Sequence, residues 1–111
     1  LACGEVSALA WTILEPSADA VIALSDDAAV DGMRLLAEGR YGDAPLVAGE
    51  SAVAGLVGAM ITADDPDARA KLGLDEHARI LVFGTEGATD PAVYMQYVGR
   101  DPKAVGSLVS Q

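Results

Sequence analysis

Apolar residues are arranged along this chain in two kinds of pattern. Helical spacing of apolar residues predicts helices over residues 7–14, 26–38, 51–62, 67–72 and 91–98. Two continuous apolar runs, ADAVIAL at 18–24 and RILVF at 79–83, predict buried strands. Together these elements predict the α/β class, with a partial open parallel sheet and flanking helices.

Residues with strong terminal preferences set the predicted helix ends. Ser25 is the expected N-cap of the second helix, and Gly39 is its expected end. Pro16 is expected to stop the first helix, and Pro66 to start the fourth. The helix at 51–62 is apolar or small on every face, which predicts that it is buried all round.

Two or three parallel strands leave apolar faces and edges uncovered. We therefore expect either self-association or a larger protein of which this chain is part. Residues 1–99 are predicted to form the folded portion, and residues 100–111 a weakly patterned tail. The start, LACGE, has neither Met nor a secretory signal pattern, so we expect a cut inside a longer protein.

Composition narrows the possible partners and compartments. The chain has 111 residues and is 51% hydrophobic, enough for a sizeable core. Its net charge of −10 would repel nucleic acid and anionic lipid. The longest apolar stretch, residues 52–61, is too short to span a membrane. A single cysteine forms no internal disulfide, and we expect a cytoplasmic protein.

Three stretches are candidates for a binding site, and each has a simpler structural explanation. The loop at Gly84 and Thr85 follows the second predicted strand, where ligands bind in open α/β sheets, although a tight turn has the same pattern. Glu50 enters an apolar helix, where acids are also ordinary caps. Residues Cys3, Gly4 and Glu5 are candidates for the lining of a polar pocket, although residues before a capped helix have the same pattern.

Other polar residues yield no predicted catalytic or metal site. The acids at 64, 65 and 67 lack the spacing of a calcium loop, and His77 has no second ligand in the pattern. The chain holds only two lysines: Lys71 ends a short polar helix and Lys103 lies in the tail, where neither is expected to be desolvated into a nucleophile. We therefore predict no metal site, no catalytic residue and no Schiff-base lysine in this chain.

Three motifs in register resemble the diaminopropionate ammonia-lyase family: LACGE at 1–5, DAPLVAGES at 43–51 and TEGATDP at 85–91. The resemblance covers about ninety residues and matches the C-terminal portion of that family. It implies the tryptophan synthase β-like fold type II and pyridoxal 5'-phosphate as cofactor. The implied reaction is α,β-elimination of 2,3-diaminopropionate, a small amino acid, to pyruvate and ammonia.

The resemblance also implies roles for individual residues. Thr85 or Gly84 matches the place where a hydroxyl meets the pyridine nitrogen of the cofactor. Related enzymes often have serine at the position of Gly84, so either Thr85 supplies that hydroxyl or this chain lacks it. Glu50 matches a glutamate near the ring, and Cys3, Gly4 and Glu5 match the segment beside cofactor and substrate.

The catalytic lysine, phosphate cradle and proton-moving acids of the family lie N-terminal to the matched region. The parent is thus expected to be a carbon–nitrogen lyase, partnered by its N-terminal part and homodimeric, and the isolated chain inactive. Two alternatives stay open. One is a threonine or serine dehydratase-like fragment, and the other is a non-catalytic α/β module that binds a small molecule or self-assembles.

Overall fold

The computed structural model describes residues 4–107, and the regular elements in that range are helices. The helices are α1 (Ala8–Ser17), α2 (Asp26–Glu38), α3 (Glu50–Asp64), α4 (Pro66–Leu72), α5 (Pro91–Val98) and α6 (Pro102–Ser107). Helix α2 packs against α3, α5 packs against α2, and α4 packs against α3. The core lies where α2, α3 and α5 meet.

The predicted helix ends of α2, α4 and α5 are confirmed. The Ala28 N–H donates to Ser25 Oγ at the start of α2, and Gly39 ends that helix with a φ of 60°. Asp90 accepts two N–H groups from the first turn of α5, at 3.0 and 3.1 Å. Short polar side chains at these ends satisfy N–H groups that have no partner inside the helix. Local capping residues therefore determine where these helices begin and end.

The strand predictions are corrected by the structure. Residues 18–24 and 79–83 are irregular, and no segment within 4–107 forms a β-strand, so the partial parallel sheet is not confirmed. Each segment instead runs along α3, where Ile22 lies beside Gly58 and Val82 beside Gly55. A strand is stable only when a neighbour completes its hydrogen-bond ladder. The described chain brings each apolar run against a helix rather than against another strand.

Helix α1 is longer than predicted, and its residues are exposed. It continues through Pro16 to Ser17, so the proline lies in its last turn instead of ending it. None of its residues is buried, and Leu9 is 79% exposed and Ile13 64%. The predicted all-round burial of α3 is also not found, because Ile61 is 47% exposed. These helices present apolar surface that the described residues leave uncovered.

Residues beyond Gly99 form more structure than their pattern indicates. Helix α6 follows α5, and the Val105 side chain is 1% exposed. Arg100 Nη1 donates to the carbonyl oxygen of Ala37, near the end of α2, at 3.3 Å. The boundary between 99 and 100 stays a prediction. None of the helices within 4–107 has the length and apolar character needed to cross a membrane.

The crossing of α2 and α3 depends on a glycine. A β-carbon on Gly32 would lie 2.5 Å from Val57 Cγ2 and 3.2 Å from Val53 Cβ. Both valines are buried, and their branched side chains have little rotamer freedom in a helix. Close approach of the two helices therefore requires the absence of a side chain at residue 32.

Replacing Gly32 with alanine tests this crossing. Overpacking costs about 1–3 kcal/mol, whereas the better helix propensity of alanine returns at most about 1 kcal/mol. We expect G32A to lower the free energy of unfolding in a urea titration. The matched variant G58A places its methyl group in ordinary contact, 3.9 Å from Ile22 Cδ1, and should be neutral or stabilising. Equal stability of the two variants would contradict the crossing.

Candidate functional site

A cavity of about 220 Å³ lies where the amino end of α3 meets the loop before α5. Helix α2 supplies one wall through Met33, and α5 supplies another through Val93 and Tyr94. The remaining lining comes from the two chain segments that approach each other across the cavity. These are Gly49 and Glu50 on one side, and Glu86, Gly87, Ala88, Thr89 and Asp90 on the other.

Glu86 fastens the loop to α3 through two hydrogen bonds. Its carboxylate oxygen Oε2 accepts the N–H of Ser51 at 2.9 Å, and its backbone carbonyl accepts the N–H of Gly49 at 3.0 Å. The N-cap of α3 is Gly49, which has no side chain to cap the helix. Glu86 therefore provides from 35 residues away the acceptor that a local cap usually provides.

Gly49 is also required by the close approach of the loop. A β-carbon at this position would lie 2.6 Å from the carbonyl oxygen of Gly87 and 2.7 Å from Glu86 Cγ. Its φ of −85° is accessible to every amino acid, so glycine is required here by the lack of space for a side chain and not by the backbone conformation. The glycine lets two backbones meet at the edge of the cavity.

The charged groups that line the cavity are all acidic. Asp90 is used as the cap of α5, and Glu86 is used on Ser51. The Glu50 side chain makes no hydrogen bond or ion pair that involves another described residue. No lysine or arginine lines the cavity. The site therefore suits a neutral or cationic group, and it disfavours a phosphate.

The chain is similar in sequence to diaminopropionate ammonia-lyases of two bacterial species. The chain is 36% identical over 102 residues to a diaminopropionate ammonia-lyase of Salmonella typhimurium strain LT2, covering 88% of this chain and 25% of the relative. It is also 36% identical over 108 residues to the diaminopropionate ammonia-lyase of Escherichia coli strain K12, covering 95% of this chain and 27% of the relative.

The chain belongs to the diaminopropionate ammonia-lyase family. It spans about a quarter of the length of these curated relatives. No protein-family model matches the chain. No solved structure matches it significantly. The family predicted from the three sequence motifs is confirmed.

The predicted cofactor-binding residues of this ammonia-lyase family member lie in two places, at the first residue of α3 and on the loop that packs against it. Glu50 lines the cavity, whereas Gly84 and Thr85 lie outside its lining, on the loop just before Glu86. A β-carbon at Gly84 would lie 3.3 Å from the carbonyl oxygen of Ala52, so the loop runs close to the first turn of α3. The Thr85 hydroxyl makes no hydrogen bond within residues 4–107. Their cofactor role stays a prediction.

The two described residues of the predicted substrate pocket are not brought to this cavity. Gly4 and Glu5 are exposed, and neither lines it. Cys3 lies outside the described residues. Lys71 on α4 and Lys103 on α6 are exposed as well, and they are also absent from the lining. The structure therefore groups the second and third sequence motifs, and the described residues of the first motif, Gly4 and Glu5, lie away from them.

The other polar stretches have structural roles. Asp65 caps α4 by accepting the N–H groups of Asp67 and Ala68. His77 is exposed, with Nε2 at 3.6 Å from a carboxylate oxygen of Glu76. Within residues 4–107 no group of histidine, cysteine and carboxylate side chains is arranged to hold a metal ion.

Sequence reasoning missed three cavity residues, Met33, Val93 and Tyr94, because they appear only as apolar positions of helices. Tyr94 is 2% exposed, and its hydroxyl has no hydrogen-bond partner in the described part of the chain. Burial raises the pKa of this hydroxyl, and Arg100 partly opposes the shift. A buried phenol beside a cavity has no signature in sequence spacing.

Gly49→Ala tests the approach of the loop to α3. We expect the added methyl group to displace the loop and to lower the free energy of unfolding by about 1–3 kcal/mol, measured by urea denaturation. The matched variant is G87A in the same loop, where a β-carbon meets no atom within 4 Å. The approach is disproved if the two variants unfold alike.

Tyr94→Phe tests the buried hydroxyl. Removal of an unpaired buried polar group is expected to leave stability unchanged or raise it by about 1 kcal/mol. The folded-state pKa of Tyr94 lies above its ordinary value of 10.0. The folded chain therefore holds this proton more tightly, and wild-type stability falls as pH rises above about 10. Thermal unfolding from pH 8 to 11 should show a weaker alkaline loss in Y94F, and an equal loss in both proteins would refute the burial effect.

Proposed function

We propose that this chain forms one wall of the active site of a pyridoxal-phosphate-dependent ammonia-lyase of fold type II. The reaction is the α,β-elimination of 2,3-diaminopropionate, which yields pyruvate and ammonia. The carrying observation is the 36% identity to diaminopropionate ammonia-lyases over nearly the whole chain. The convergence of Glu50 and the loop that bears Thr85 at the α3 entry supports the proposal.

The described residues fit one edge of the cofactor ring but not its phosphate group. Thr85 offers a free hydroxyl for the pyridine nitrogen, Gly84 allows the backbone to come close, and Glu50 offers a carboxylate at the α3 entry. The cavity beside them is acidic and lacks a basic side chain. When bound, the cofactor takes up the electron pair released by removal of the α-proton.

Thr85 and Glu50 would divide two tasks at this edge. A hydroxyl is a neutral partner for the ring nitrogen and does not force a proton onto it, so Thr85 would orient the ring while leaving it uncharged. Glu50 has no partner among the described residues, so its carboxylate is available to a cationic group. A substrate with a second ammonium group suits such a carboxylate better than serine or threonine does.

The rest of the catalytic apparatus would lie in the part of the enzyme that corresponds to the unmatched length of the relatives. That part would supply the Schiff-base lysine, the phosphate cradle and the acids that move protons, so the isolated chain would be inactive. Exposed apolar side chains support such a partner, because large uncovered apolar patches mark interfaces. They include Leu9, Ile13, Leu81 and Phe83. We place the whole enzyme in the cytoplasm as a homodimer.

Ammonia release by the protein that carries this chain tests the function. With pyridoxal phosphate present, we expect a higher kcat/KM for 2,3-diaminopropionate than for serine or threonine. Preference for either hydroxy amino acid would assign a dehydratase, and no turnover of any of them would indicate a non-catalytic module. T85V should weaken cofactor binding about tenfold, by the loss of one hydrogen bond, whereas T85S should not. T12V on the exposed α1 is the control for threonine removal.

A further inference from the structure

We propose that Glu86 is a positioning residue, which fixes the loop bearing Thr85 relative to the helix bearing Glu50. The inference rests on the proposed function for the roles of Thr85 and Glu50. It goes beyond that function because it gives Glu86, whose carboxylate accepts the Ser51 N–H, a role in holding the wall rather than in contacting the cofactor. Its role follows from the two hydrogen bonds that residue 86 makes to α3.

Residue 86 connects the two elements that carry the proposed ring contacts. Residue 86 binds the N–H groups of Gly49 and Ser51, the immediate neighbours of Glu50 on either side. It is also the immediate neighbour of Thr85 along the loop. Glu50 therefore lies between the two N–H groups that residue 86 accepts, and Thr85 is bonded directly to residue 86. Movement of residue 86 changes the separation of Thr85 and Glu50 directly.

A carboxylate suits this position at the start of α3. Ser51 lies in the first turn of α3, where N–H groups point out of the helix without partners. A negative charge at this end is stabilised by the helix dipole. The carboxylate of Glu86 is occupied there, whereas that of Glu50 has no partner in the described residues. Two acids in one cavity are therefore divided, with one holding the wall and one available to a ligand.

The contact between the loop and α3 leaves little room. Gly49 meets Glu86 Cγ and the carbonyl oxygen of Gly87 so closely that no side chain fits between them. The loop therefore packs directly on the start of α3, and the Glu86 carboxylate adds a hydrogen bond that holds it there. A residue without an acceptor at position 86 leaves the loop seated by the Gly49 bond alone.

Variants at residue 86 in the protein that carries this chain test the proposal. E86A removes the acceptor, whereas the amide oxygen of E86Q still accepts the Ser51 N–H. E76A, on an exposed side chain that pairs with His77, is the matched control. We expect E86A to raise the pyridoxal phosphate dissociation constant, followed by cofactor fluorescence, about tenfold. E86Q should stay within about threefold of wild type, and E76A should not differ from it.

Two further readouts separate positioning from general loss of structure. Hydrogen exchange at the Ser51 amide should quicken in E86A and stay slow in E86Q. In an E50A background the effect of E86A on cofactor affinity should shrink, because the residues act together. Additive effects, or E86A matching E76A, would overturn the role of Glu86 alone. A wild-type protein that neither binds the cofactor nor releases ammonia would instead refute the proposed function, and the cofactor-positioning role with it.

Discussion

The seating of one loop on the amino end of α3 is the contact on which the candidate site depends. Residue 86 donates nothing there, but it accepts two N–H groups, from Gly49 and Ser51. These bonds replace the local cap that a glycine N-cap cannot provide. The loop brings the third sequence motif to the second, and the cavity lies between them.

The core makes this seating possible by fixing α3. Helix α2 approaches α3 at Gly32, and Tyr94 of α5 belongs to one buried cluster with residues of α2 and α3. Three helices from distant parts of the sequence therefore hold the start of α3. Two arginines reinforce the pair α2 and α5. Arg34 donates to the carbonyl oxygen of Tyr97 at 2.8 Å, and Arg100 donates to that of Ala37. The wall is therefore built on packed helices, although the proposed ring contact at Thr85 is on a loop.

Local signals predicted the helices well because they act over three or four residues. Ser25, Asp90 and the terminal glycines have side chains or conformations that suit helix ends wherever the chain places them. The strands at 18–24 and 79–83 could not be settled in the same way. An apolar run shows that burial is favoured, but a strand also needs a partner, and each run here lies along α3.

The parts of the candidate site that lie in sequence motifs could be predicted, whereas the parts that depend on packing could not. Glu50 and the loop at 85–91 came from the motifs, and the structure brings the α3 entry and this loop to one cavity. Tyr94 and the contact from Glu86 to Ser51 depend on distances across the fold, which spacing does not encode. A crystal structure of the protein that carries this chain, with pyridoxal phosphate bound, is the most direct test. It should show Glu86 on the Ser51 N–H, with Thr85 and Glu50 facing the cofactor ring; a ring bound elsewhere, with Glu86 turned to solvent, would contradict the account.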